Sequence, residues 1–143
     1  MKKKLLVSAC LLGEACRYDG KSKGNDAVRA LAEKYELIGV CPEVAGGLAT
    51  PRSPAERQGM RVIAESGADV TANYRRGAEA ALALYAREGC CAAVLKAKSP
   101  SCGSGEIYDG SFSRRLVPGD GVTAELLKAH GITVLTEDEL GAL

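Results

Sequence analysis

Aromatic side chains are scarce in this 143-residue chain, which has one Phe, five Tyr and no Trp. Its core must therefore be packed from Val, Leu, Ile and Ala. No run of about 18 apolar residues occurs, so no transmembrane helix is expected. An excess of one charge is also missing: 19 basic against 18 acidic residues leave +1 at pH 7. That balance argues against a broad basic face for nucleic acid. There is a single histidine, His130, and no local pair of cysteines two residues apart. The opening "MKKKLLVSACLLG" mimics a signal peptide, but its apolar part is short and no convincing cleavage site follows. A basic start leading into a first buried strand is expected, in a cytoplasmic protein whose thiols stay reduced.

What is present is enough for a core. Hydrophobic residues make up 46% of the chain, and 17 glycines point to many tight turns. "KLLVSA" (4–9), "ELIGVCPE" (36–43), "CAAVLKAKS" (91–99) and "ITVLTE" (132–137) read as strands. Pro42 stops the second. Between them "NDAVRALAEKY" (25–35) and "VTANYRRGAEAALALYAREG" (70–89) have helical spacing. The longer of these carries Ala78, Ala81, Leu82 and Tyr85 on one face and stops at Gly89. "TAELLKAHG" (123–131) is a further helix, with a Thr cap. The segment 46–58 reads as a loop, and 60–71 as a hairpin or irregular excursion turning at Ser66-Gly67. Strands alternating with helices predict a single α/β domain over 1–143. Its sheet is mainly parallel and flanked by helices, a Rossmann-like three-layer arrangement.

Ligands of open α/β sheets bind at the carboxyl ends of the strands. Cys10 follows the first strand, Cys41 ends the second, and Cys102 lies shortly after the third in "KAKSPSCGSG". Three thiols distant in sequence are thus expected at one rim of one sheet. A buried cysteine is more often a small hydrophobe than a ligand, and Cys90 and Cys91 at a helix–strand junction are expected to be core filler. Cys102 fits that role poorly, because its neighbours are polar and turn-forming. Cys16 stays open. Three thiolates without an obvious fourth ligand admit zinc or an iron–sulfur cluster. His130, at a predicted helix end, is expected to serve the helix dipole rather than a metal.

Other motifs bear on the same rim. "GEACRYDGKS" fails the phosphate-loop pattern, since six residues rather than four separate Gly13 and Gly20; it forms a turn that brings Arg17 near the strand ends. Glu43, two residues after Cys41, is placed for acid/base work, though a loop glutamate is usually just solvated. Arg52 can bind a substrate's carbonyl or anionic group, or merely pair with Glu56. Lys96 and Lys98, alternating on a strand, are expected to share one face.

Taken together, "VSACLLGEACRYDG", "VCPEVAGGLATPRSPAE", "LKAKSPSCGSGEIYDGSF" and "GDGVTAELLKAHGITV" resemble the small bacterial domain-of-unknown-function family that includes the thiouracil desulfidases. The resemblance runs from Val7 to about Glu139. It implies a [4Fe–4S] cluster on Cys10, Cys41 and Cys102, with one open iron that takes sulfur from a thiolated pyrimidine without redox change. It implies acid/base assistance from Glu43 and a supporting catalytic role for Ser101. Arg17, Gly46, Gly47, Arg52, Lys96, Ser99 and Gly103 are expected to line the site, with Gly105 also easing a close approach of ring and cluster. Iron–sulfur assembly proteins are the implied partners. Desulfidases acting on tRNA carry extra sequence, so a free base or nucleoside is the expected substrate rather than tRNA. The competing readings are a structural zinc module, a sulfur carrier or transferase on the same three cysteines, and a thiol redox protein using Cys10 and Cys16.

Overall fold

The computed structural model describes residues 2–143. Four parallel strands form the central sheet: β1 (Lys3–Ser8), β2 (Tyr35–Val40), β5 (Ala92–Leu95) and β8 (Val134–Thr136), in the order β2-β1-β5-β8. Leu5 sits opposite both Leu37 and Ala92, and Ala93 opposite Val134. Successive strand side chains point to opposite faces, and here both faces are covered. Leu5, Val7, Ala92 and Val94 pack with Val28 and Leu11 on one side. Leu6, Ala93 and Leu95 pack with Ala81, Ala124 and Leu127 on the other. Burial on both faces is why β1 and β5 read as unbroken apolar runs rather than alternating ones.

The helices are α1 (Asp26–Ala30), α2 (Pro42–Ala45), α3 (Thr71–Glu88) and α4 (Val122–Ala129). α1 opens on Asn25, whose side chain accepts from the Val28 N–H. α3 ends at Gly89 in the left-handed conformation, as its sequence predicted. Residues 60–71 do turn at Ser66-Gly67, closed by a single bridge from Ile63 to Asp69. The tighter hairpin, however, joins β3 (Ala55–Gln58), in the stretch expected to be loop, to β4 (Arg61–Ala64). A second hairpin, β6 (Glu106–Tyr108) with β7 (Leu116–Pro118), was not visible in the periodicity. Two more expectations change. Glu43 lies in the single-turn helix α2, not in a loop. α4 has no side-chain cap; Thr123 is fully buried inside it. Among the described residues no helix is long and apolar enough to cross a membrane.

Candidate active site

The order β2-β1-β5 places the ends of three strands side by side, with chain direction diverging on either side of β1. A cavity of about 510 Å³ opens there, and Cys10, Cys16, Cys41 and Cys102 all line it. All four are free thiols. Cys10 and Cys102 are buried, while Cys16 and Cys41 are half-buried. Burial pushes the Cys10 thiol up to about 11, with the Cys41 charge adding to it and Lys96 opposing it. Burial likewise pushes Cys16 up to about 12, with Cys41 next to it contributing both charge and a hydrogen bond. Cys102 is raised further by burial, offset in part by a hydrogen bond from Ser8. The Cys41 thiol also donates to the Cys16 carbonyl at 3.7 Å.

Local chemistry explains how the Cys102 loop holds its shape. The Ser99 hydroxyl accepts from the N–H groups of Ser101 at 3.1 Å and Cys102 at 3.0 Å, and the Ser99 carbonyl accepts from Gly103 at 2.8 Å. These bonds coil the chain so that Cys102 turns inward. The loop in turn supplies the missing cap of α4: the Pro100 carbonyl takes the Val122 N–H, and the Ser101 carbonyl takes those of Thr123 and Ala124. Gly121 must be glycine for this approach, because a Cβ there would lie 2.4 Å from the Ser101 carbonyl.

Glu43 reaches the same cavity from α2. Arg52 grips it, with Nε and Nη2 both 3.0 Å from Oε2, and uses its remaining donors on the carbonyls of Cys16 and Ala49 and the hydroxyl of Thr50. Buried Tyr74 lies beside the carboxylate, its phenol pushed far up first by burial and then by the Glu43 charge. Lys96 also lines the wall, ion-paired to Glu137 at 2.9 Å.

A family model described as 2-thiouracil desulfurase matches residues 5–139. The chain belongs to the 2-thiouracil desulfurase family. It is 44% identical over 147 residues to the Bacillus subtilis (strain 168) uncharacterized protein YbbK, covering 95% of this chain and 97% of that one. Its fold matches a solved structure of the [4Fe-4S]-dependent thiouracil desulfidase TudS with a TM-score of 0.94 and 54% identity, covering 99% of this chain and 95% of the other. The α/β architecture and the nature of the protein as a desulfurase-family enzyme follow from these matches.

Within this desulfurase fold, Cys10, Cys41, Cys102, Glu43, Arg17, Arg52, Lys96 and Ser99 all meet at the cavity. Five expected residues do not line it. Ser101 is fully buried, and its hydroxyl shares a 2.8 Å bond with that of Thr123. Gly46, Gly47 and Gly103 also lie outside the lining, as does Gly105. Gly46 and Gly103 serve chain packing instead: a Cβ on Gly46 would sit 2.0 Å from the Asn73 carbonyl oxygen, and one on Gly103 2.7 Å from that of Ser99. Arg52 pairs with Glu43 and not with Glu56. Lys96 and Lys98 both fall beyond the end of β5, so strand alternation does not apply; both line the cavity, Lys98 from a left-handed backbone with φ 70°. Cys91 is exposed rather than core, while Cys90 packs half-buried against the core, and His130 caps α4 at the surface.

Sequence reasoning missed Ser8, Tyr74, Glu56 and Glu137. Tyr74 had a signal: it lies four residues before Ala78 on the buried face of α3. The others offered none, since each depends on contacts between distant segments.

Proposed function

We propose that this enzyme holds a [4Fe–4S] cluster on Cys10, Cys41 and Cys102 and desulfurates a thiolated pyrimidine such as thiouracil, giving the carbonyl compound and sulfide. The observation that carries the reading is the meeting of these three thiols with Glu43 at one cavity. The donor set suits the group: soft thiols, a polar enclosure and room for a polynuclear centre. No three His, Cys, Asp or Glu side chains among the described residues are arranged around one metal ion. A cluster, whose own atoms separate its ligands, asks for a wider spacing than that. Ligation needs thiolates, so loading must displace the protons that burial holds on Cys10 and Cys102.

When bound, the cluster supplies an open Lewis-acid iron with affinity for the substrate's sulfur. The chain's own residues do the rest. Arg52 fixes Glu43 through Oε2, which leaves the other carboxylate oxygen unclaimed by the guanidinium. That oxygen takes a proton from the water that attacks the thiocarbonyl carbon and returns it to the departing sulfur. Tyr74, kept as a neutral phenol by its surroundings, limits where the carboxylate can swing. Ser101 acts from behind the wall, tying the Cys102 loop to α4 through Thr123. Carbon–sulfur cleavage by water moves no net electrons, so no external reductant is consumed.

The test is anaerobic reconstitution followed by assays with 2-thiouracil and 4-thiouracil. Cys102→Ala is expected to lose both the brown absorption and turnover. Glu43→Ala is expected to keep the absorption and lose about 100-fold or more in rate, the ordinary worth of a general base. Full rate in Glu43→Ala would remove the acid/base assignment. Stoichiometric zinc in place of iron and acid-labile sulfide would favour the structural module instead.

A further inference from the structure

The chain has only six aromatic side chains. Four of them, Tyr18, Tyr74, Tyr108 and Phe112, line the cavity. The single phenylalanine, the most apolar of the six, is therefore withheld from the core of an aromatic-poor protein. Its backbone is also unusual. Among the described residues only Lys98, Phe112 and Arg114 are non-glycine residues with positive φ, and all three line this cavity. A bulky side chain in the left-handed region carries a backbone cost of order 1 kcal/mol or more, tolerated where the surroundings dictate it.

Those surroundings are specific. Glu56, on β3, is buried and also reaches the cavity. Its Oε1 accepts from the N–H groups of Gly110 at 2.9 Å and Phe112 at 3.2 Å. The Gln58 side-chain amide donates to the Gly110 carbonyl at 2.9 Å, so β3 grips the loop from two positions. Glu56 has no cationic partner within ion-pair distance among the described residues. A buried carboxylate answered only by backbone donors is costly to keep unless the segment it holds has to stay in place.

We propose that Phe112 is the platform on which the substrate's planar ring rests, and that Glu56 is the positioning residue that clasps its loop over the site. This rests on the thiolated-pyrimidine reading above. A flat heterocycle gains from face contact with an aromatic ring, and that gain depends on the ring being held at a set height. Phe112 then sets affinity and shape selection, while Glu43 handles protons.

The test measures 2-thiouracil binding to anaerobically prepared, cluster-loaded protein by calorimetry, with steady-state kinetics and amide hydrogen exchange over residues 108–116. Phe112→Ala is expected to weaken binding and raise KM about tenfold or more with kcat changed far less. Phe112→Tyr, which keeps the ring, should restore most of both. Glu56→Ala should show the same KM rise together with faster exchange at Gly110 and Phe112. Glu56→Gln, which keeps an acceptor oxygen, should fall between Glu56→Ala and the parent. The effects of Glu56→Ala and Phe112→Ala should be less than additive when combined. Unchanged binding in Phe112→Ala would overturn the platform, and unchanged exchange in a folded Glu56→Ala or Glu56→Gln protein would overturn the clasp. If the parent protein loaded its cluster yet bound no thiouracil, the substrate reading and the platform would fall together, while the exchange comparison would still decide the clasp.

Discussion

Cys10 is held as a neutral thiol by the same burial that sets it in the cavity wall. Its value of about 11, against an ordinary 9.0, makes the cluster-free protein sensitive to alkali. The sign follows from linkage: between those two values the folded chain keeps a proton that the unfolded chain has lost, so stability falls as pH rises through the interval. That difference corresponds to roughly 2–3 kcal/mol, complete below pH 9 and gone above about 11. Denaturant titrations of cluster-free protein at pH 8 and pH 10.5 should show this loss, and Cys10→Ser should reduce it. Equal stability at both pH values would mean that the thiol is better solvated than its burial implies.

The contact between α2 and α3 decides where Glu43 stands. Two glycines make it possible: a Cβ on Gly77 would lie 1.9 Å from the Pro42 carbonyl oxygen, and one on Gly46 2.0 Å from that of Asn73. The Asn73 side chain closes the seam by donating to the Gly46 carbonyl at 2.9 Å. Alanine has the higher helix propensity, so an isolated α3 would gain from Gly77→Ala. In the folded protein the clash must win, because the opposing atom is backbone. The substitution is expected to cost about 1–3 kcal/mol by overpacking and to displace the turn that carries Glu43. Denaturant unfolding should show the loss of stability, and turnover should fall while the three cysteines remain. A Gly77→Ala protein as stable and active as the parent would show that α2 retreats freely.

Across the whole molecule, the site draws on segments following three different strands of one sheet. A cluster held, as proposed, on Cys10, Cys41 and Cys102 would act as a cross-link between residues far apart in the chain and stabilise the fold by mass action. Anaerobic reconstitution is expected to raise the melting temperature and to slow hydrogen exchange together in residues 9–25, 41–54 and 96–105. Slowing in only one of these segments would mean that the three thiols do not share a centre. Much of this was legible beforehand. The apolar runs of β1 and β5, the 18-residue helix α3 with its glycine stop, and the alternation of strand and helix all follow from local pattern. The hairpins β3–β4 and β6–β7 were not, because strands of three or four residues are too short to show a period-2 pattern.

By itself the amino-acid order determined the periodicities, and through them the parallel sheet. Because a parallel sheet gathers its strand ends at one edge, it also determined that Cys10, Cys41 and Cys102 would stand near each other. Their neighbours were decided only by the tertiary structure. The grip of Arg52 on Glu43, Tyr74 beside it, Lys96 against Glu137 and the clasp of Glu56 on the Phe112 loop each join residues that no local pattern relates. The same holds for Gly46 and Gly103, which read as room for a ligand and proved to be room for the chain itself. A pattern of residue types records which backbone is permitted; what fills the space beside it depends on which distant segment packs there.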